Sequence, residues 1–163
     1  TTDARIFLEL DQLYKKLGVS FEKRLENYET YKKTFEDRDD LFIEYITLYN
    51  LLERYEEAYE LIMSRRFHPW EGGEGKITTQ YTITLVELAK RAIADKDYEQ
   101  AKDYLMKALV YPENLGEGKL EGTKDNHIFY YLGCVMEQLG DIKQAKDYFE
   151  RASVGTDEPA GMM

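Results

Sequence analysis

Three segments of this chain can be laid over one another: "YEEAYELIMSRRF" (55–67), "YEQAKDYLMKALV" (98–110) and "IKQAKDYFERASV" (142–154). Their equivalent alanines, Ala58, Ala101 and Ala145, lie 43 and 44 residues apart. A fixed internal period constrains the fold more than any other feature. Each copy is a unit that cannot bury its apolar face alone and must stack on its neighbours. Apolar or small residues fall at Tyr55, Ala58, Leu61 and Ile62, at Tyr98, Ala101, Tyr104, Leu105 and Ala108, and at Ile142, Ala145, Tyr148, Phe149 and Ala152. This stripe predicts an amphipathic helix in each copy. Asp97 and Asp141 precede two of them, with Gln100 and Gln144 three residues on, so each acid is expected to cap its helix.

Each of these helices follows another. In "NHIFYYLGCVMEQLGD" (126–141), Phe129, Leu132, Gly133 and Met136 are spaced as aromatic-x₂-Leu-Gly-x₂-large, and Ala145 and Phe149 follow as Ala-x₃-Phe. Leu85, Leu88, Ala89, Ala92, Ala101 and Leu105 trace a second copy; Phe42, Tyr45, Ile46, Tyr49, Ala58 and Ile62 trace a third. The pattern resembles the tetratricopeptide repeat. Gly133, Ala89, Ala101 and Ala145 are small enough to let paired helices approach closely. The resemblance implies an all-α fold, an α-solenoid of about four antiparallel helical hairpins in a right-handed superhelix. Residues 39–163 supply three repeats. Residues 1–38 form a degenerate N-terminal hairpin of helices near 4–17 and 20–37, with "KKLG" as its turn, Ser20 as an N-cap, and Lys23 where the repeat uses Ala.

The standard repeat is about 34 residues, so this one carries inserted loops, near 68–79 and 111–125. They share a motif: "HPWEGGEGK" (68–76) and "YPENLGEGK" (111–119). It is not a phosphate loop, because Trp70 and Glu113 stand where the first Gly is required, and Ile77 and Leu120 follow the lysines instead of Ser or Thr. Two readings remain. In one, the glycines supply positive φ for compact turns, and Lys76 and Lys119 neutralise helix-end carbonyls or pair with Glu74, Glu117 or another carboxylate. In the other, the loops form a binding rim in which His68, Trp70, Glu74 and Lys76 meet a sugar or peptide, the first loop being the better candidate.

Arg65 stands where the other copies have Ala108 and Ala152, and is expected to pair internally with an acid, the alternative being an anion-binding corner with Arg66 and His68. Cys134 reads as an inert groove or core residue, and His68 and His127 are too few for a metal site. By family analogy the groove includes Asp40, Ile43, Glu44, Thr47 and Asn50, then Ile83, Val86, Glu87, Lys90 and Ile93, then His127, Tyr130, Tyr131, Cys134 and Glu137. Thr47, Lys90 and Cys134 occupy the places of the clamp that chaperone-binding members use for a terminal carboxylate, so that role is not expected.

A narrower resemblance runs through "EDRDDLFIEYITLYNLLERYEEAYELIMSRRFHPWEGGEGK" (36–76), "YPENLGEGK", "NHIFYYLG" and the closing "DEPAGMM". These are similar to the C-terminal repeat region of large bacterial proteins that carry an upstream mutarotase-like β-sandwich of uncharacterised function. It implies a fragment of a longer, carbohydrate-related protein.

The net charge of −10, with no concentrated basic patch, argues against nucleic acid and anionic membranes as partners. No apolar run is long enough to cross a bilayer, and a single cysteine among 163 residues excludes an internal disulfide and favours the cytoplasm. No acid pair or nucleophile–base set is singled out, so no catalytic residue, metal or cofactor is expected. The expected function is a non-enzymatic scaffold that binds an upstream domain of its own chain or another protein. The alternative is an accessory contribution to glycan binding through residues 68–76. The candidate ligand residues are His68, Trp70, Glu74, Lys76, Glu117, Lys119, Tyr130 and Tyr131.

Overall fold

A computed structural model of the chain describes residues 3–154; the "DEPAGMM" segment of the narrower resemblance lies outside them. The described residues form helices, with no strand among them: α1 (Ala4–Lys16), α2 (Phe21–Thr30), α3 (Lys32–Phe35), α4 (Asp39–Leu51), α5 (Tyr55–Met63), α6 (Lys76–Ala94), α7 (Tyr98–Ala108), α8 (Asn126–Gln138) and α9 (Ile142–Ser153). A short 3₁₀ turn spans Glu113–Leu115. The fold class is the all-α, tetratricopeptide-like one expected. Internal contacts divide the chain into two compact units. One runs to Thr84 and takes in Pro112–Glu117; the other comprises Leu85–Tyr111 and the chain from Gly118.

Four tight turns share one backbone solution. Gly18, Glu53, Lys96 and Gly140 all have positive φ, at 71°, 61°, 60° and 85°. Each follows the first helix of a pair, and the amide one residue later returns to a carbonyl five residues back: Val19 to Tyr14, Arg54 to Tyr49, Asp97 to Ala92, Asp141 to Met136. These are Schellman caps, which satisfy the carbonyls a helix end leaves orphaned. The expected N-caps form as well. Asp97 accepts from the Gln100 amide at 3.2 Å, Asp141 from Gln144 at 3.0 Å and Ser20 from Lys23 at 3.2 Å.

In the second unit, α8 and α9 pack as a hairpin at Gly133. A Cβ added there would stand 2.6 Å from the Phe149 ring, so only glycine permits this approach. Leu132, Ala145, Ala101, Leu105 and Ala108 of the same unit are buried.

In the first unit the expected helix over 20–37 is interrupted. Tyr31 leaves helical geometry (φ −113°, ψ 29°) and separates α2 from α3. The break accompanies full burial of Phe35, whose ring packs 5.3 Å from Phe7, 4.8 Å from Tyr28 and 5.4 Å from Tyr45. Lys23, which stands where the repeat uses Ala, has a side chain 69% exposed. The charge that faces inward on α2 is Arg24, 3% exposed. Its guanidinium donates to both oxygens of buried Asp11 at 2.9 and 2.8 Å and to Glu44 at 2.8 Å. The Tyr28 hydroxyl completes the cluster on Asp11 at 2.8 Å. Burying a charge is tolerable only when it is paired and hydrogen-bonded in this way.

Candidate functional site

Arg65 begins the site. Helix α5 ends at Met63, and the Arg65 side chain turns away from the helix axis to donate to Asp39 at 2.8 Å and to the Glu36 carbonyl. Its guanidinium lies 4.5 Å from the Phe42 ring centroid. The expected internal partner therefore exists, and it is Asp39, in the first turn of α4. The other Asp39 oxygen accepts from the His68 amide at 2.6 Å, which ties the start of the first loop to α4. An acid at this place also suits the positive end of the α4 dipole.

His68 and Trp70 then border a cleft of about 430 Å³ whose other walls are Asp37, Arg38, Asp39, Asp40 and Arg65. Most of its charges are already satisfied. Asp39 serves Arg65 and His68, while Asp40 takes both prongs of Arg38 at 3.1 and 2.7 Å. The Trp70 indole lies so close to Gly73 that any Cβ there would overlap it, and the Lys76 ammonium sits 5.7 Å from the ring centroid.

A separate open groove, also about 430 Å³, runs between α4 and the start of α6. Asp40, Ile43, Glu44 and Thr47 line one wall; Glu74, Gly75, Lys76, Thr79 and Gln80 line the other. Four of the five α4 groove positions expected by analogy are thus placed together. Asn50 is the exception. It is buried, donates to Gln80 Oε1 at 2.9 Å and accepts from Thr84 at 3.0 Å, so it fastens α4 to α6. Glu44 is shared with Arg24 and with Lys15 at 3.0 Å, and Glu74 accepts from the Gly72 amide at 3.0 Å. Nearby, burial and the electrostatic influence of Tyr59 push the Tyr81 phenol up to about 12.

The two copies of Gly-Glu-Gly-Lys do not adopt one conformation. In the first, Gly75 has positive φ (80°) and Lys76 opens α6; in the second, Gly116 has positive φ (73°) and Lys119 lies outside any helix. The second loop instead holds the chain after α5 and reaches the first copy at Gly75. Asn114 donates its side-chain amide to the carbonyls of Ile62 (2.9 Å) and Arg65 (3.0 Å) and accepts from the Phe67 amide (2.8 Å). Glu117 accepts from the Gly75 amide at 2.9 Å, placing a carboxylate at the N-terminus of α6. That end of the helix dipole is therefore answered from within the chain.

Lys119 donates to the Leu109 carbonyl at the end of α7 (2.7 Å) and pairs with Asp125 (2.5 Å). It acts on a helix-end carbonyl, as one of the two sequence readings has it. Tyr130 and Tyr131 belong to α8, with ring centroids 5.6 Å apart. Tyr130 is 53% exposed, and its hydrogen bond to Cys134 raises its pKa. Lys119, Tyr130 and Tyr131 border neither cleft.

Sequence reasoning missed Asp11, Arg24, Asp39 and Asn114. For Asp39 the signal was the odd Arg65 and an acidic helix start; for Asn114 no local pattern marks it. Among the described residues, no group of three or more His, Cys, Asp or Glu could hold a metal ion, and no helix is long and apolar enough to cross a membrane.

Residues 128–152, spanning most of α8 and α9, match the family model described as Tetratricopeptide repeat. This supports the family resemblance drawn from the repeat pattern, and such repeats are generally non-catalytic platforms for protein–protein interaction.

Proposed function

We propose that the chain is a non-catalytic scaffold whose groove between α4 and the start of α6 receives a segment of a protein, either an upstream domain of the same polypeptide or a separate partner. The observation that carries this reading is the groove lining. Ile43 offers an apolar floor, while Thr47, Thr79 and Gln80 offer hydrogen-bonding groups to an extended backbone. Asp40, Glu44 and Glu74 are pre-paired, so they present fixed partial charge without rearranging on binding, which lowers the ordering cost of association.

The test is selection of binding peptides from a displayed library, alongside titration with the upstream region expressed separately. Thr79→Trp fills the groove from its exposed rim and should weaken bound segments at least about tenfold, a difference of roughly 1.4 kcal/mol. Leu120→Trp, outside the groove, should leave them unchanged. Binders indifferent to Thr79→Trp would defeat the assignment.

A carbohydrate role is the second reading, favoured by one observation: the cleft beside His68 and Trp70 combines an indole with carboxylates. It ranks below the first because Asp39 and Asp40 are engaged and the indole already meets Gly73 and Lys76. Calorimetry against neutral and acidic oligosaccharides decides it; saturable heat abolished by Trp70→Ala would reverse the ranking.

A further inference from the structure

Helix α1 buries Phe7 and Asp11 in its unit. Its apolar stripe lies elsewhere: Ile6, Leu10 and Leu13, continued by Leu17 at the C-cap, are 48%, 37%, 49% and 68% exposed. An amphipathic helix normally buries its apolar stripe. The stripe runs i, i+4, i+7, i+11, which is the d-a-d-a seam of a coiled coil. In that heptad frame the flanking g positions are Glu9 and Lys16, one of each sign.

We infer that this face is a homodimer interface in which α1 packs antiparallel against α1 of a second copy of the chain. In the antiparallel register Ile6 lies opposite Leu17 of the second copy and Leu10 opposite its Leu13. The two-fold axis then brings each g position to a g position, so Glu9 meets Lys16 of the second copy, and the pair occurs twice. A parallel arrangement has no such match: it sets Glu9 against Tyr14 and Lys16 against Phe21. The charge pattern therefore selects both the occupant and its direction. Glu9 can make the pairing, since its 3.4 Å ion pair with Arg5 joins two well-exposed side chains and is readily exchanged. Lys16 is exposed in the last turn of α1.

Sedimentation equilibrium of the chain at neutral pH and low salt is the test. The expected result is a species of twice the 19.2 kDa chain mass, formed at or below about 100 µM. Leu13→Asp should give a monomer with the helical circular dichroism unchanged. Glu9→Lys and Lys16→Glu should each weaken the dimer roughly threefold to tenfold, as like charges replace opposite ones at exposed sites. The double exchange, Glu9→Lys with Lys16→Glu, should restore the original affinity to within about twofold. If Leu13→Asp disturbs the fold, the charge series decides alone, since those side chains are solvent-exposed. A chain that stays monomeric overturns the inference and leaves the stripe to another protein or segment. So does a dimer indifferent to the charge variants, or one the double exchange fails to rescue.

Discussion

Lys76 and Lys119 close the same tetrapeptide but have different surroundings, and this sets what each substitution does. Lys119 links the end of α7 to Asp125 and lies 5.5 Å from the Tyr111 ring centroid. Lys119→Ala leaves a part-buried carboxylate and a helix-end carbonyl without their donor, a loss of about 1–2 kcal/mol. For a chain of this size each kcal/mol lowers the melting midpoint by roughly 2–4 °C. The Lys76 ammonium lies over the Trp70 indole, 5.7 Å from the ring centroid. Lys76→Ala should shift the midpoint by less than about 2 °C, because the roughly 0.5–1 kcal/mol of an exposed cation–π contact is largely offset by alanine's better helix propensity and by removing a cation from the positive end of α6. Thermal denaturation of the two variants side by side checks both. Equal losses would mean that the copies serve one structural purpose after all.

At the level of helices and turns, Schellman caps recur at Gly18, Glu53, Lys96 and Gly140, yet only two of these positions hold glycine. A side chain in the left-handed region costs about 1–2 kcal/mol, and the extra unfolded-state entropy of glycine returns about 0.4–1 kcal/mol of any gain. Lys96→Gly should therefore stabilise the protein by about 0.5–1 kcal/mol, seen as a rise in the denaturant midpoint at unchanged slope. Gly140→Ala should do the reverse. The N-terminal hairpin bears the same turn as the others, although its packing residues differ. Helices α1, α4, α7 and α9 were legible in the sequence, because amphipathic spacing and capping act over one or two turns. The break at Tyr31 was not, since it depends on Phe35 finding Phe7, Tyr28 and Tyr45 on other helices.

Across the molecule, the buried tyrosines of the first unit set the alkaline limit of stability. Burial, followed by the negative charge of Asp11, raises the pKa of Tyr28; burial and the hydrogen bonds to Tyr45 and Glu29 raise that of Tyr49. Burial also raises Tyr81, to about 12. In each case the folded state favours the neutral phenol and binds a proton that the unfolded chain has begun to lose. Their contribution is thus fully present below the ordinary tyrosine value near 10 and is lost as pH rises above it. Denaturant titrations between pH 8 and 12 should show stability falling above about pH 10. The slope for Tyr28→Phe should be shallower by up to one proton. An identical slope would show that Tyr28 does not titrate in the folded protein as its surroundings require.

The sequence by itself determined most of the helices, the N-caps at Ser20, Asp97 and Asp141 and the all-α class, because each rests on contacts between residues near in the chain or on a period repeated along it. It also led to the expectation that Arg65 pairs with an acid. Only the tertiary structure decided which acid, that Arg24 is the buried cation of α2, that Asn114 holds the chain after α5, and that Glu117 of the second Gly-Glu-Gly-Lys copy accepts from Gly75 of the first. These pairings join residues far apart in sequence. The cost of burying an unpaired polar group demands that a partner exist, but only the packed chain brings a particular one within reach.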